Sequence, residues 1–341
     1  MLVKVSRSFA AVIMELPSEL REAVMVFYLV LRALDSVEDD MAVDLKEKCA
    51  LLLVFHEKTE LPSYSLSGYG EKEHERDLLV NYTNVCTVYA SLKPAYRAVI
   101  KDICARMGAG MAEFAQRDVQ TVPDYELYCH YVAGLVGIGL SRLWGLSGLE
   151  NADFATPQFE PLSNAMGLFL QKTNITRDYR EDIDQVPPRI FYPRTIWAKY
   201  TKDFAAFREP ANAAAGVRCV NHMIADAMTH ATASIDYLSR LRQPDVFRFC
   251  AIPQAMAIAT LERCYQNPRV LQEVIKIRKG EAVYLIEQCQ TFAGTLDAFK
   301  HYSARLREKL NRNVNDPSAG DLETSLDALD KIVRQWQAKQ K

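Results

Sequence analysis

Two groups of carboxylates stand where a folding chain would least tolerate them. Asp35-Ser36-Val37-Glu38-Asp39-Asp40 and Asp178-Tyr179-Arg180-Glu181-Asp182 each lie inside an otherwise apolar, helix-forming stretch. In each group the outer carboxylates are four residues apart, so on a helix they stack on one face. Like charges so placed cost about a few tenths of a kcal/mol per pair on an exposed helix, and more where the helix is buried. A chain that keeps both groups must fold into long helices and bring something cationic to them.

One such group alone would read as a solvated helix face or a helix end. Two copies of the spacing D-x-x-E-D, each following an arginine (Arg32 before Asp35, Arg177 beside Asp178), point to a site that holds hard cations and phosphate oxygens together. Mg²⁺ takes octahedral oxygen ligation and is usually held by one or two carboxylates plus substrate phosphates. The two groups are therefore expected to face each other as a Mg²⁺-diphosphate clamp.

Composition bounds this expectation. A chain of 341 residues with only 14 Gly and 14 Pro, clustered in a few loops, leaves long helical stretches and nothing resembling an interdomain linker. Residues 1–341 are expected to form a single all-α domain. The net charge of −2 gives no argument for nucleic acid as a partner. Eight cysteines are scattered without any C-x-x-C, so buried thiols are the default. No stretch approaches the ~20 apolar residues of a membrane span.

Along the chain, Ser6-Arg7-Ser8-Phe9 precedes a helical run and would suit an anion at a helix start, although an ordinary N-cap accounts for the same residues. The helix leading into the first acidic group places Tyr28 and Arg32 on the face of the carboxylates. Gly134, Gly137 and Gly139 do not make a dinucleotide fingerprint, because no strand precedes them. They remove side chains where a bulky apolar ligand or another backbone must come near. Tyr128 and Tyr131 share one side of that run, which is expected to be one helix over 125–143. From 166 to 183, Gln171, Asn174, Asp178 and Asp182 make a polar seam, and Pro187-Pro188 ends the helix before a possible flap over 187–193. A long helix is expected over 211–241, where His222 and His230 lack the partners of a zinc site. Lys276, Arg278 and Lys279 form a basic trio that is either solvated surface or a phosphate contact.

Taken together, Ser6-Arg7-Ser8-Phe9, Phe27 to Asp35, both D-x-x-E-D groups, Tyr128 to Gly137, Gln171 to Asp178, Phe249-Cys-Ala-Ile-Pro-Gln and Lys276-Ile-Arg-Lys-Gly280 resemble the eukaryotic squalene synthases, over nearly the whole chain and in that family's order. The resemblance implies an all-α isoprenoid-synthase fold and two molecules of farnesyl diphosphate joined through presqualene diphosphate to squalene, with Mg²⁺ and NADPH as cofactors. It implies metal binding by Asp35, Glu38, Asp39, Asp178, Glu181 and Asp182. It places Ser6, Arg7, Ser8, Phe9, Tyr28, Arg32, Gln171 and Arg177 at the substrate and assigns Asn174, Lys276 and Arg278 to the reductant's phosphates. Tyr128 is the implied proton carrier, with Tyr131 second, and Phe249 lines the apolar tunnel that shields the cation. It further implies a monomer held on the endoplasmic reticulum by a C-terminal anchor outside this sequence. Two departures stand out: Arg180 occupies a usually aliphatic place, and Pro187-Pro188 replaces a glycine-rich stretch. A phytoene or dehydrosqualene synthase, which lacks the reductive step, shares the clamp and is the alternative.

Overall fold

Apolar side chains at three- and four-residue spacing run through most of the chain, and it answers with helices joined by turns; among the described residues there is no strand. The computed structural model describes residues 1–6, 8–312 and 315–339. They form two compact units, one of residues 1–117 and 134–163, the other of residues 118–133 and 164–341.

In the first unit the Ser18–Glu38 helix is the central element. Val24, Phe27, Leu31 and Leu34 are buried on it, each contributing about 1.5–3 kcal/mol. They pack toward the Leu45–Lys58, Pro94–Phe114 and Leu135–Ser147 helices. Glycine makes two close helix approaches in this unit possible. A Cβ at Gly139 would stand 2.5 Å from Phe27 Cζ, and one at Gly108 would strike the Leu52 carbonyl oxygen. At Gly139 the space therefore goes to the Phe27 ring, neither to a ligand nor to another backbone.

The second unit gathers the Pro244–Cys264 helix with Ala213–Met228, Phe292–Asn311 and Ala319–Lys339. Three stretches expected as single helices are broken, 166–183 among them at Asp178. Over 125–143 the chain forms Val122–Cys129, a π-turn at His130–Gly134, and Leu135–Ser147; such π-turns are frequent at functional sites. Over 211–241 it forms Ala213–Met228 and Ala231–Leu238, parted at Thr229, whose hydroxyl donates to the Asp226 carbonyl at 2.7 Å. A hydroxyl bonding to nearby backbone offers an alternative to the helical ladder. All eight cysteines are free and buried, as expected. No helix among the described residues is long and apolar enough to cross a membrane.

Candidate functional site

Each acidic group sits at a helix end in its own unit. In the first, Asp35 lies in the last turn of the Ser18–Glu38 helix, and the Asp39 N–H donates to the Asp35 carbonyl at 2.8 Å, so the four-residue stacking holds. Arg32 is half-buried 3.8 Å from Asp35. Burial opposes its charge, but Asp35, Tyr28 and Asp39 outweigh that and raise its pKa. The expected counter-charge is thus supplied in part by the same helix. Tyr28 Oη contacts the Val5 carbonyl at 3.5 Å, bringing the Leu2–Ser6 helix beside this face. Ser6 Oγ is committed to the Leu2 carbonyl at 2.8 Å. Arg7 and the side chains of Ser8 and Phe9 lie outside the described residues.

Not every carboxylate in the first group is available. Asp40 is buried and accepts from the Ala42 and Gly70 N–H groups at 2.9 and 2.8 Å, so it ties down the loop. Lys48, also buried, donates to the Glu38 carbonyl at 2.7 Å and places a cation at the negative end of the helix. Asp35, Glu38 and Asp39 keep side chains that are half-buried and reach solvent.

In the second unit the Glu160–Arg177 helix ends at Asp178, where φ −94° and ψ 13° open a short break before Tyr179–Ile183. The spacing survives it: Asp178 N–H donates to Asn174 and Asp182 N–H to Asp178, at 2.9 and 3.0 Å. Arg177 grips both oxygens of Asp178, Nε to Oδ1 at 2.7 Å and an Nη to Oδ2 at 2.6 Å. Burial disfavours the Arg177 charge, and the bond to Asp178 more than restores it, raising its pKa. Arg180 turns away to Asp184 at 2.6 Å, which resolves the first departure. Gln171 is half-buried, while Asn174 and Glu181 are exposed.

The segment expected as a flap is pinned. Arg189 N–H donates to the Asp182 carbonyl at 3.0 Å, and buried Tyr192 donates its hydroxyl to the Thr176 carbonyl at 3.0 Å. Between these anchors Phe191 stacks on Tyr128, centroids 4.9 Å apart and planes 18° apart. The structure thereby brings Tyr128 and Asp182 to one stretch of chain. Tyr131 falls in the π-turn, next to His130, whose Nδ1 is 2.7 Å from Asn164 Oδ1. Phe249 is buried near the start of the Pro244–Cys264 helix.

Lys276 and Arg278 line a cavity of about 490 Å³ together with Arg263, Arg269, Arg305 and Lys309. The last four already have carboxylate partners: Arg263 has Glu281 at 2.8 Å, Arg269 has Glu273 at 2.6 Å, and Arg305 and Lys309 share buried Glu262, both at 3.1 Å. No such carboxylate pairs with Lys276 or Arg278 among the described residues. Both are exposed, and Lys279, the third member of the basic trio, does not line this cavity. Asn174 is not part of this wall. Cys264, its thiol pushed up to about 12 by burial, interacts with Arg177 and Asp178 as well as with Lys309 and Glu262. The cavity wall and the Arg177–Asp178 pair therefore share a neighbour. Sequence reading missed Arg263, Arg305 and Lys309, because charge at unrelated positions gives no sign of a common wall.

No three His, Cys, Asp or Glu side chains among the described residues gather into a preformed metal site. The donor chemistry still fits magnesium. Both groups present only hard carboxylate oxygens, and this ion needs one or two of them when phosphate oxygens complete its shell.

The family model described as squalene/phytoene synthase matches residues 2–281. A squalene synthase of Botryococcus braunii is 54% identical over 84% of this chain and 61% of its own length. One of Dictyostelium discoideum is 46% identical over 97% of this chain and 79% of its own. The solved structure of TcSQS with the ligand E5700 covers 98% of this chain and 96% of that one, at 46% identity and a TM-score of 0.94.

Proposed function

We propose that this chain, which belongs to the squalene/phytoene synthase family, joins two molecules of farnesyl diphosphate into presqualene diphosphate and reduces that product with NADPH to squalene. Its all-α fold is the terpenoid-synthase fold. The observation that carries the reading is the pair of D-x-x-E-D groups, each with an arginine seated on its first aspartate.

Expulsion of an allylic diphosphate develops negative charge on the leaving group. Magnesium, when bound, neutralises that charge, and Asp35, Glu38, Asp39, Asp178, Glu181 and Asp182 are the residues that would hold it. Arg32 and Arg177 are fixed donors beside the same carboxylates, so their charges need no reorganisation as the bond breaks. Ser6, Arg7, Ser8, Tyr28 and Gln171 complete the contacts to the substrate. The allylic cation must be kept from water, and Phe9 and Phe249 supply aromatic faces for it. Joining the two chains releases a proton, and Tyr128, whose ring the Phe191 stack holds in place, is the residue assigned to its transfer; Tyr131 is the second candidate.

NADPH, when bound, supplies the hydride that ends the second half-reaction. Lys276 and Arg278, the cavity's cations that no carboxylate pairs with among the described residues, bind its phosphates by side chain alone, and Asn174, outside that wall, is a further contact. That pair favours the reducing enzyme over a dehydrosqualene-forming one. We place this catalytic region on the cytosolic face of the endoplasmic reticulum, as a monomer.

Product analysis from farnesyl diphosphate and Mg²⁺ tests the reading. Squalene formed only when NADPH is present supports it. Dehydrosqualene or phytoene as the sole product in both conditions would reject it.

A further inference from the structure

The Glu160–Arg177 helix buries a full charge that the proposed reaction does not use. Lys172 has 0% exposure, yet its ammonium lies 3.0 Å from Glu126 Oε1 and 2.7 Å from Asp226 Oδ2, with the Tyr125 ring centroid 5.4 Å away. One side chain thereby ties three helices, Val122–Cys129, Glu160–Arg177 and Ala213–Met228. Only the pair with Asp226 is buried, since the Asp226 side chain is 16% exposed and that of Glu126 47%; such a buried pair gains little over well-packed apolar residues, because desolvation offsets the attraction. What it does supply is direction, since only one relative placement of the helices brings both carboxylates to the ammonium.

The placement it selects bears on the site. Glu126 stands two residues before Tyr128 on the same helix, and Lys172 stands two before Asn174 and six before Asp178. The competing partner for Glu126 is His230, with Nε2 at 3.8 Å. Burial and the neighbouring Lys172 push that imidazole down to about 3, so it is neutral and leaves the carboxylate to the lysine. His230 Nε2 is buried and makes no hydrogen bond among the described residues, and Asp226 Oδ2 makes none there beyond its ion pair with Lys172.

We propose that Lys172 is a positioning residue for the proton-transfer step: through Glu126 it sets where the Tyr128 hydroxyl stands relative to the Asn174–Asp178 stretch. This rests on the function proposed above.

The test is a double-mutant cycle read by single-turnover formation of presqualene diphosphate, with Lys172→Met, Glu126→Gln and Tyr128→Phe. Lys172→Met and Glu126→Gln are each expected to lower the rate by about 10- to 100-fold, the scale of a displacement near 1 Å, with KM for farnesyl diphosphate nearly unchanged. Neither should lower it further in a Tyr128→Phe background. Equal losses in both backgrounds would overturn the proposal. Should Lys172→Met fail to fold, Glu126→Gln carries the test alone, because Asp226 still pairs with the lysine. Hydrogen exchange needs no substrate: faster exchange confined to residues 122–134 in Glu126→Gln is expected, and unchanged exchange there would overturn the proposal. A wild-type chain that never releases diphosphate would instead sink the proposed function, leaving exchange to decide this inference.

Discussion

Replacing Asp178 by asparagine separates what that carboxylate does for the fold from what it does for the reaction. The side chain is 20% exposed and held bidentately by Arg177. Such a pair, part solvated and local in sequence, contributes about 1 kcal/mol or less to stability. Asparagine keeps one acceptor for Arg177, so the loss stays at that scale and the urea midpoint barely moves. Turnover is another matter. Removing a group that stabilises charge developing in the transition state costs roughly 2.7–4 kcal/mol, a factor of about 10² to 10³. Both half-reactions begin by expelling diphosphate, so both should fall together. Asp184→Asn is the matched control, since Asp184 pairs with Arg180 at 2.6 Å on the exposed side; it should leave turnover within about twofold. The assays are urea denaturation and rapid-quench measurement of each half-reaction. Presqualene diphosphate synthesis at near wild-type rate in Asp178→Asn, or a loss no larger than the stability change, would refute the reasoning.

Three further outcomes follow from the structure. Arg278→Ala should raise the apparent KM for NADPH about 5- to 15-fold, the worth of one exposed charged hydrogen bond, while sparing presqualene diphosphate formation; unchanged NADPH dependence would remove Arg278 from the site. Gly139→Ala drives a methyl to 2.5 Å from Phe27 Cζ and 3.0 Å from Ile103 Cγ1, and overpacking of this kind should cost about 1–3 kcal/mol by denaturant titration. His230 has its pKa lowered to about 3 by burial and Lys172, so between that value and about 6.5 the unfolded chain binds the extra proton. Stability should therefore fall as pH drops from about 6.5 to 5, by about 2 kcal/mol from this group, and His230→Gln should flatten that slope.

How far sequence reading reached depends on the kind of signal. Helical periodicity around Phe27, Leu31 and Leu34 placed the first acidic group on a buried-faced helix, and the four-residue spacing survived in both groups. Breaks were less legible. Asp178 interrupts its helix through φ and ψ at one residue, and the π-turn at His130–Gly134 follows no periodicity that a helical pattern could flag. The segment over 187–193 reads as a flap whose mobility the two prolines put in doubt; Arg189 and Tyr192 bond it down through the Asp182 and Thr176 carbonyls, which no local pattern announces. Long-range charge pairing was the least visible. Glu262 pairs with Arg305 and Lys309 from 43 and 47 positions away, while no carboxylate among the described residues pairs with Lys276 or Arg278 in the same cavity.

The account stands on the two aspartate groups holding magnesium-loaded diphosphate, and titration calorimetry with pyrophosphate measures this without any turnover. Wild-type protein should bind pyrophosphate only when Mg²⁺ is present, and both Asp35→Asn and Asp178→Asn should weaken that binding by at least about tenfold, or 1.4 kcal/mol. Binding of equal strength with and without Mg²⁺, or unaffected by either substitution, would contradict it.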